Sequence, residues 1–289
     1  MNVDIIELFS YQFVQYIFAA SLLASISCGI IGSFVVVKRI VFISGGIAHA
    51  TFGGIGLAYY LQYTMGWIWF EPLIGAIIFA ITTALIMSIP LIKKRLRSDS
   101  TIGVIWVVGM ALGVLFLNVI DRNVVIIQEP MSILFGNILL VQQIDLFIMA
   151  GLVIAIILVS ILLFKDLQIL TFDEEFAIVS GINVTLLNMI LLILVALTTV
   201  VLIKVVGVVL VIAMLTIPAA IAGLFIQNLK NMMIWAVLIG ISSTFIGSTL
   251  SILFDLPPGS TIVLFMGSIF LLSLIVRPFL KVKKTPMAV

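Results

Sequence analysis

A single histidine, His49, stands among the 289 residues, and it stands inside an apolar run. Imidazole is ionisable and serves as a ligand for zinc, copper, iron and nickel. An ionisable group at membrane depth is costly, so by default it marks a pathway or a relay. The plainer reading is that His49 only hydrogen-bonds a neighbouring helix. Around it the chain reads SGGIAHATFGGIGLA. Gly45 lies one helical turn before His49 and Gly53 one turn after, so missing side chains flank the imidazole and leave room for a path or a ligand. Gly46, Ala50, Gly54 and Ala58 recur at every fourth position, a ridge that lets another backbone approach closely.

The remaining reactive groups are few. Cys28 is the one cysteine; it cannot form an intramolecular disulfide, and a free cysteine in an apolar run packs as a small hydrophobe. One His and one Cys do not make a tight four-ligand zinc site within one chain. An intramembrane hydrolase would need a nucleophile placed against a base, and Ser27 or Ser44 has no spacing that pairs it with His49. Three consecutive acids, Asp173, Glu174 and Glu175, sit in KDLQILTFDEEFAIVSGIN. Asp173 near the start of a short helix would favour it through the positive N-terminal dipole. Phe172, Phe176, Ala177 and Ile178 give this segment an apolar side that needs a dock. No Gly-Lys dipeptide occurs, so the chain has no phosphate-binding loop of the G-x-x-x-x-G-K-[ST] type, and any ATPase must be another chain.

The elements that must position these groups follow from composition. The chain is 64% hydrophobic and 9% charged, with a mean hydropathy of +1.43, against roughly 45–50% apolar and about 25% charged residues in soluble domains. Lipid offers unpaired backbone groups no partner, so spanning chains are helix bundles or closed barrels. The apolar runs lack the alternation of barrel strands. The expected fold is an all-α polytopic transmembrane bundle forming one domain over 1–289. Its spans are about nine: 13–37, 47–63, 72–92, 101–120, 146–164, 184–203, 205–226, 232–254 and 261–280. Segment 131–140 (MSILFGNILL) is too short to span and too apolar for an exposed loop, and reads as re-entrant or interfacial. Lys204, between two spans with almost no loop, demands a tight turn or snorkels to the headgroups. Ser243, Gly247 and Ser251 form a second small-residue ridge for helix packing.

Basic residues orient the bundle. Lys38-Arg39, Lys93-Lys94-Arg95 with Arg97, Lys165, Lys230 and the C-terminal Arg277, Lys281, Lys283 and Lys284 fall on one side, leaving only Arg122 and Lys204 of the 14 on the other. The positive-inside rule then puts the N-terminus outside and the C-terminus in the cytoplasm. Asp4, Glu7, Glu71, Asp121, Glu129, Asp145 and Asp255 fall outside, either as solvated loop residues or as a surface that attracts cations or a basic partner. Residues 1–10 lack the positive leading region of a cleavable signal peptide.

Several stretches, in this order, make the chain resemble the permease family of zinc, manganese and iron ABC importers over nearly its full length. They are GIIGSFVVVKRIVFISGGIAHATFGGIGL from Gly29, DSTIGVIWVVGMALGVLF from Asp99, LFGNIL from Leu134, FDEEFAIVSGINV from Phe172, VVGVVLVIAMLTIPAAIAGLF from Val205 and DLPPGSTIVL from Asp255. The resemblance implies a transport subunit of a prokaryotic inner membrane, in contact with membrane lipid and not with nucleic acid. It implies a homodimer of permeases, two cytoplasmic ATPases that bind the ATP, and an extracytoplasmic metal-binding protein. The chain itself would hold no cofactor; its cargo would be Zn2+ or Mn2+, moved through the dimer interface by alternating access. The segment at about 166–183, with Phe172, Asp173, Glu174, Glu175, Phe176 and Gly181, would be the coupling helix seated on the ATPase, and His49 would lie on the metal path. Many members carry an Asp four residues before the histidine. Here that position is Gly45, and losing the hard oxygen ligand tilts the expected cargo towards zinc. The alternative is a permease for an organic cofactor or siderophore, with His49 structural. A stand-alone secondary carrier would show an internal repeat with interrupted helices, and none is evident.

Overall fold

The computed structural model describes residues 11–89, 98–120 and 141–279. Within them the chain forms eleven helices, and nine are membrane elements: α1 (Gln12–Val37), α2 (Val41–Met65), α3 (Pro72–Ser88), α4 (Ser98–Val119), α5 (Gln143–Leu162), α8 (Val184–Val206), α9 (Val208–Phe225), α10 (Leu229–Phe254) and α11 (Pro258–Val276). Two short helices, α6 (Phe164–Phe172) and α7 (Glu174–Val179), lie between α5 and α8. Eight of the nine are long and apolar enough to cross a membrane; α3, with 17 residues, is the shorter one. The 131–140 segment and the basic clusters at 93–97 and 281–284 lie outside the described residues.

Lipid tails are as apolar as leucine, so helices here associate through close packing at small residues and through polar contacts. The pairings follow the small residues. A β-carbon on Gly29 of α1 would lie 2.7 Å from the Val237 nitrogen of α10, and one on Gly247 of α10 would lie 2.9 Å from the Ile262 Cα of α11. Ser25 of α1 and Thr244 of α10 meet through their hydroxyls at 3.3 Å. The Ser243–Gly247–Ser251 ridge is buried, with α10 packed between α1 and α11. α2 packs against α3, α4 and α8, and α8 packs against α3 as well.

The structure moves two boundaries expected from hydropathy. α2 begins at Val41 rather than at residue 47. Ser44, Gly45 and Gly46 continue the helix because each is buried against a neighbour, and that packing outweighs the ~1 kcal/mol by which a glycine weakens a helix interior. Lys204 is not the break between spans. It lies in the last turn of α8, and the chain turns at Gly207, the single residue between α8 and α9, where φ is +83°. Only glycine adopts that conformation without a β-carbon penalty. Lys204 Nζ meets Asp145 Oδ1 at 2.6 Å, tying the end of α8 to the start of α5. Asp145 also closes a capping box with Gln142, so this buried carboxylate has both a cation and a backbone donor.

The two ends of the bundle differ in charge. Among the described residues, Lys38, Arg39, Lys165, Lys230 and Arg277, with the acids Asp166, Asp173, Glu174 and Glu175, lie at the end that carries α6 and α7, and Lys204, Glu71, Asp145 and Asp255 at the opposite end. At that opposite end the loop before α3 exposes Trp67 and Trp69, stacked at 5.7 Å, as suits aromatic side chains at a membrane interface.

Candidate functional site: a lone imidazole and a docking helix

His49 sits in the first half of α2, on the face turned to α4. Its ring meets Trp106 of α4 edge-on, with centroids 4.1 Å apart. Its Nδ1 is buried and, among the described residues, has no hydrogen-bond partner. The plain reading of His49 as a hydrogen bond between helices therefore gains nothing from this nitrogen.

The flanking glycines have a different effect from the open space their spacing suggests. A β-carbon at Gly45 would lie 2.9 Å from Trp106 Cζ3, so the indole fills the volume that a side chain at position 45 would take. A β-carbon at Gly46 would meet Ile102 at 3.2 Å, and one at Gly53 would meet the Gly109 carbonyl oxygen at 2.8 Å. At Gly54 it would run into the Gly75 carbonyl of α3. Here the glycines bring two neighbouring backbones against α2, and Trp106 takes up the room beside the imidazole. Trp106 is the residue that sequence reasoning missed. Ile102, Trp106, Gly109 and Gly113 are spaced 4, 3 and 4 apart, a helix-face pattern that pointed to it.

This geometry predicts the cost of bulk on α2. Gly53→Leu meets backbone, which cannot swing aside as a side-chain tip can, so α4 must move away; overpacking of this kind costs ~1–3 kcal/mol. We expect a clear drop in the yield of monodisperse protein and in uptake, whereas Leu264→Phe, on an exposed face of α11, leaves both unchanged. Equal yields for the two variants would contradict the α2–α4 packing.

The acidic segment forms two helices rather than one. Asp173 caps α7 by accepting from the Phe176 amide at 2.9 Å. Gly181 closes the segment at φ +77°. Phe172, Phe176, Ile178 and Val179 are exposed while Ala177 is buried, so one face of α7 is apolar and uncovered, with Val179 85% exposed. The three acids are not equivalent. Glu174 Oε2 pairs with Lys38 Nζ at 3.1 Å, and Lys38 also donates to the Leu170 carbonyl at 3.2 Å. Asn188 of α8 donates to Glu174 Oε1 at 3.5 Å. Glu174 is thus held against α1 and α8 while part of its side chain stays exposed, and Glu175 is exposed as well. Lys38 ends α1 and is followed, after Arg39 at φ +60° and Ile40, by α2. One ion pair therefore ties α7 to the turn between α1 and α2, the helix that carries His49.

Among the described residues no group of three or more His, Cys, Asp or Glu side chains converges on a point. A cation beside His49 would meet that imidazole and the Trp106 indole from this chain.

The family model described as "ABC 3 transport family" matches residues 10–277. An uncharacterized membrane protein of Synechocystis sp. is 41% identical over 272 residues, covering 94% of this chain and 93% of that protein. The manganese transport system membrane protein MntC of Halalkalibacterium halodurans is 33% identical over 272 residues, covering 94% of this chain and 90% of that one. The solved structure described as PsaBC from Streptococcus pneumoniae in complex with Fab has a chain that superposes with a TM-score of 0.82 at 32% identity, covering 96% of this chain and 98% of that chain. Matched along nearly its whole length in sequence and in fold, the chain belongs to the ABC 3 transport family, as a multi-pass membrane permease subunit of an ABC transporter and not its ATPase.

Proposed function

We propose that this permease imports divalent metal ions, manganese foremost, as a homodimer driven by two cytoplasmic ATPases and fed by an extracytoplasmic metal-binding protein. The observation that carries the mechanism is the Lys38–Glu174 pair, which joins an uncovered apolar helix to the start of α2. The end bearing α6 and α7 faces the cytoplasm, in keeping with its excess of Lys and Arg. There Phe172, Phe176, Ile178 and Val179 dock on the ATPase. Closure of the ATPases moves α7, the ion pair passes that motion to the α1–α2 turn, and α2 shifts against α4. His49 then meets the ion on one side of the cycle and Trp106 on the other. Manganese is favoured because relatives along the whole chain, MntC of Halalkalibacterium halodurans and ScaB of Streptococcus gordonii at 30% identity, are named for manganese transport.

Zinc is the second reading, and Gly45 favours it. With Trp106 against Gly45 there is no carboxylate one turn from His49, and a nitrogen-only contact suits zinc better than manganese. Uptake in cells lacking other importers, measured for manganese with zinc, iron and cobalt as competitors, decides between them. We expect manganese to enter and zinc to compete weakly. Uptake of zinc with no manganese entry would overturn the manganese assignment.

A further inference from the structure

A groove of about 600 Å³ opens on the flank of the bundle between α5 and α10, floored by Ile30 of α1. Its volume lies within the ~300–1,000 Å³ common for small-molecule sites. Its walls are apolar except at two points. Lys230, in the first turn of α10, stands at one end beside Phe164; among the described residues its ammonium has no ion-pair partner. Ser160 of α5, 6% exposed, lines the wall, and its hydroxyl has no hydrogen-bond partner among the described residues. Thr198 and Thr199 bond back to the carbonyl four residues earlier; Ser21, Ser27, Ser243 and Ser248 share the unpaired state of Ser160 but do not line the groove.

We propose that this groove binds one acyl chain of an anionic phospholipid, with the headgroup phosphate on Lys230 and an ester carbonyl accepting from Ser160. The dimensions fit one leaflet. From Lys230 to Leu238 the groove runs eight residues along α10, about 12 Å at the helical rise, close to half of the ~30 Å hydrocarbon thickness. The polar order fits as well. The cation lies in the first turn of α10, at headgroup level, the unpaired hydroxyl lies two residues inside the end of α5, near ester level, and the rest of the wall is apolar. An amphiphile with an anionic head satisfies all three zones. A second copy of the chain would have to bring an acid to Lys230 and an acceptor to Ser160.

The test uses the permease in phosphatidylcholine vesicles with spin-labelled phosphatidylglycerol or spin-labelled phosphatidylcholine, reading the immobilised fraction by electron spin resonance. We expect wild type to immobilise the anionic lipid preferentially. Lys230→Gln should reduce that preference about fivefold, the equivalent of ~1 kcal/mol per basic residue near an anionic surface. Ile234→Trp, or Ile161→Trp should the first fail to fold, obstructs the groove and should abolish the preference for the anionic lipid, leaving the unselective shell of boundary lipid that both labels report. Unchanged lipid preference in Lys230→Gln would overturn the proposal. So would a disulfide between Ile161→Cys in one copy and Ile234→Cys in another, which would put a second copy in the groove.

Discussion

In cells that depend on this permease for manganese, His49→Ala is expected to cut uptake at least about tenfold while the protein still assembles in the membrane. Losing even an indirect partner of a metal costs ~10–100-fold, and a direct contact on the path should not cost less. Folding should tolerate the change. The imidazole Nδ1 has no hydrogen bond to lose, and the edge contact with Trp106 is worth only ~0.5–1.5 kcal/mol. Uptake and the yield of purified protein, measured side by side, separate transport from assembly. Wild-type uptake in His49→Ala would reduce His49 to a packing residue.

The second large effect is expected at the end of α1, just before α2. Lys38→Glu places a carboxylate against Glu174 and removes the donor to the Leu170 carbonyl. Lys38 is the more buried partner, with 9% of its side chain exposed against 45% for Glu174, so the new like charge has little access to water. Juxtaposed like charges at an interface cost several kcal/mol, roughly. We expect ATP hydrolysis in the assembled transporter to lose its response to the metal-loaded binding protein, and uptake to fall at least about tenfold with it. The swap Lys38→Glu with Glu174→Lys restores the opposite-charge pair and should recover a substantial part of both. Glu175→Lys is the contrasting variant. Glu175 faces solvent, so its reversal should weaken association with the ATPase without touching the α1 tie. A swap that recovers nothing, beside a Glu174→Gln variant that couples normally, would limit the pair to local packing.

The bundle itself was legible because each span is a long apolar run, and lipid leaves such a run no other folded form. Hydropathy placed the breaks less well where a glycine or a lysine carried two meanings. Gly45 and Gly46 fell outside the span drawn from residue 47, although the small-residue ridge already put Gly46 at a helix contact, which is where α4 approaches. Lys204 read as the break between two tightly joined spans because its partner, Asp145, lies 59 positions away on another helix. The same limit hid the tie between α7 and α1. Nothing local distinguishes Glu174 from Glu175; the distinction comes from Lys38, 136 residues earlier. At His49 the sequence exposed the imidazole and its glycine face but not the occupant of that face. Trp106 belongs to a helix whose register against α2 is set by Gly109 and Gly113, and only the packed structure joins the two.

The central claim, that this chain is the membrane path of an ATP-driven metal importer, is tested most directly by manganese accumulation in sealed vesicles. The vesicles would hold the permease with its ATPase, with the metal-binding protein and radiolabelled manganese on the extracytoplasmic side and ATP on the other. The account predicts accumulation that requires ATP and the ATPase chain and collapses with His49→Ala. Manganese entry that continues without ATP or without the ATPase would contradict it, as would a fully assembled complex that hydrolyses ATP and moves no divalent metal at all.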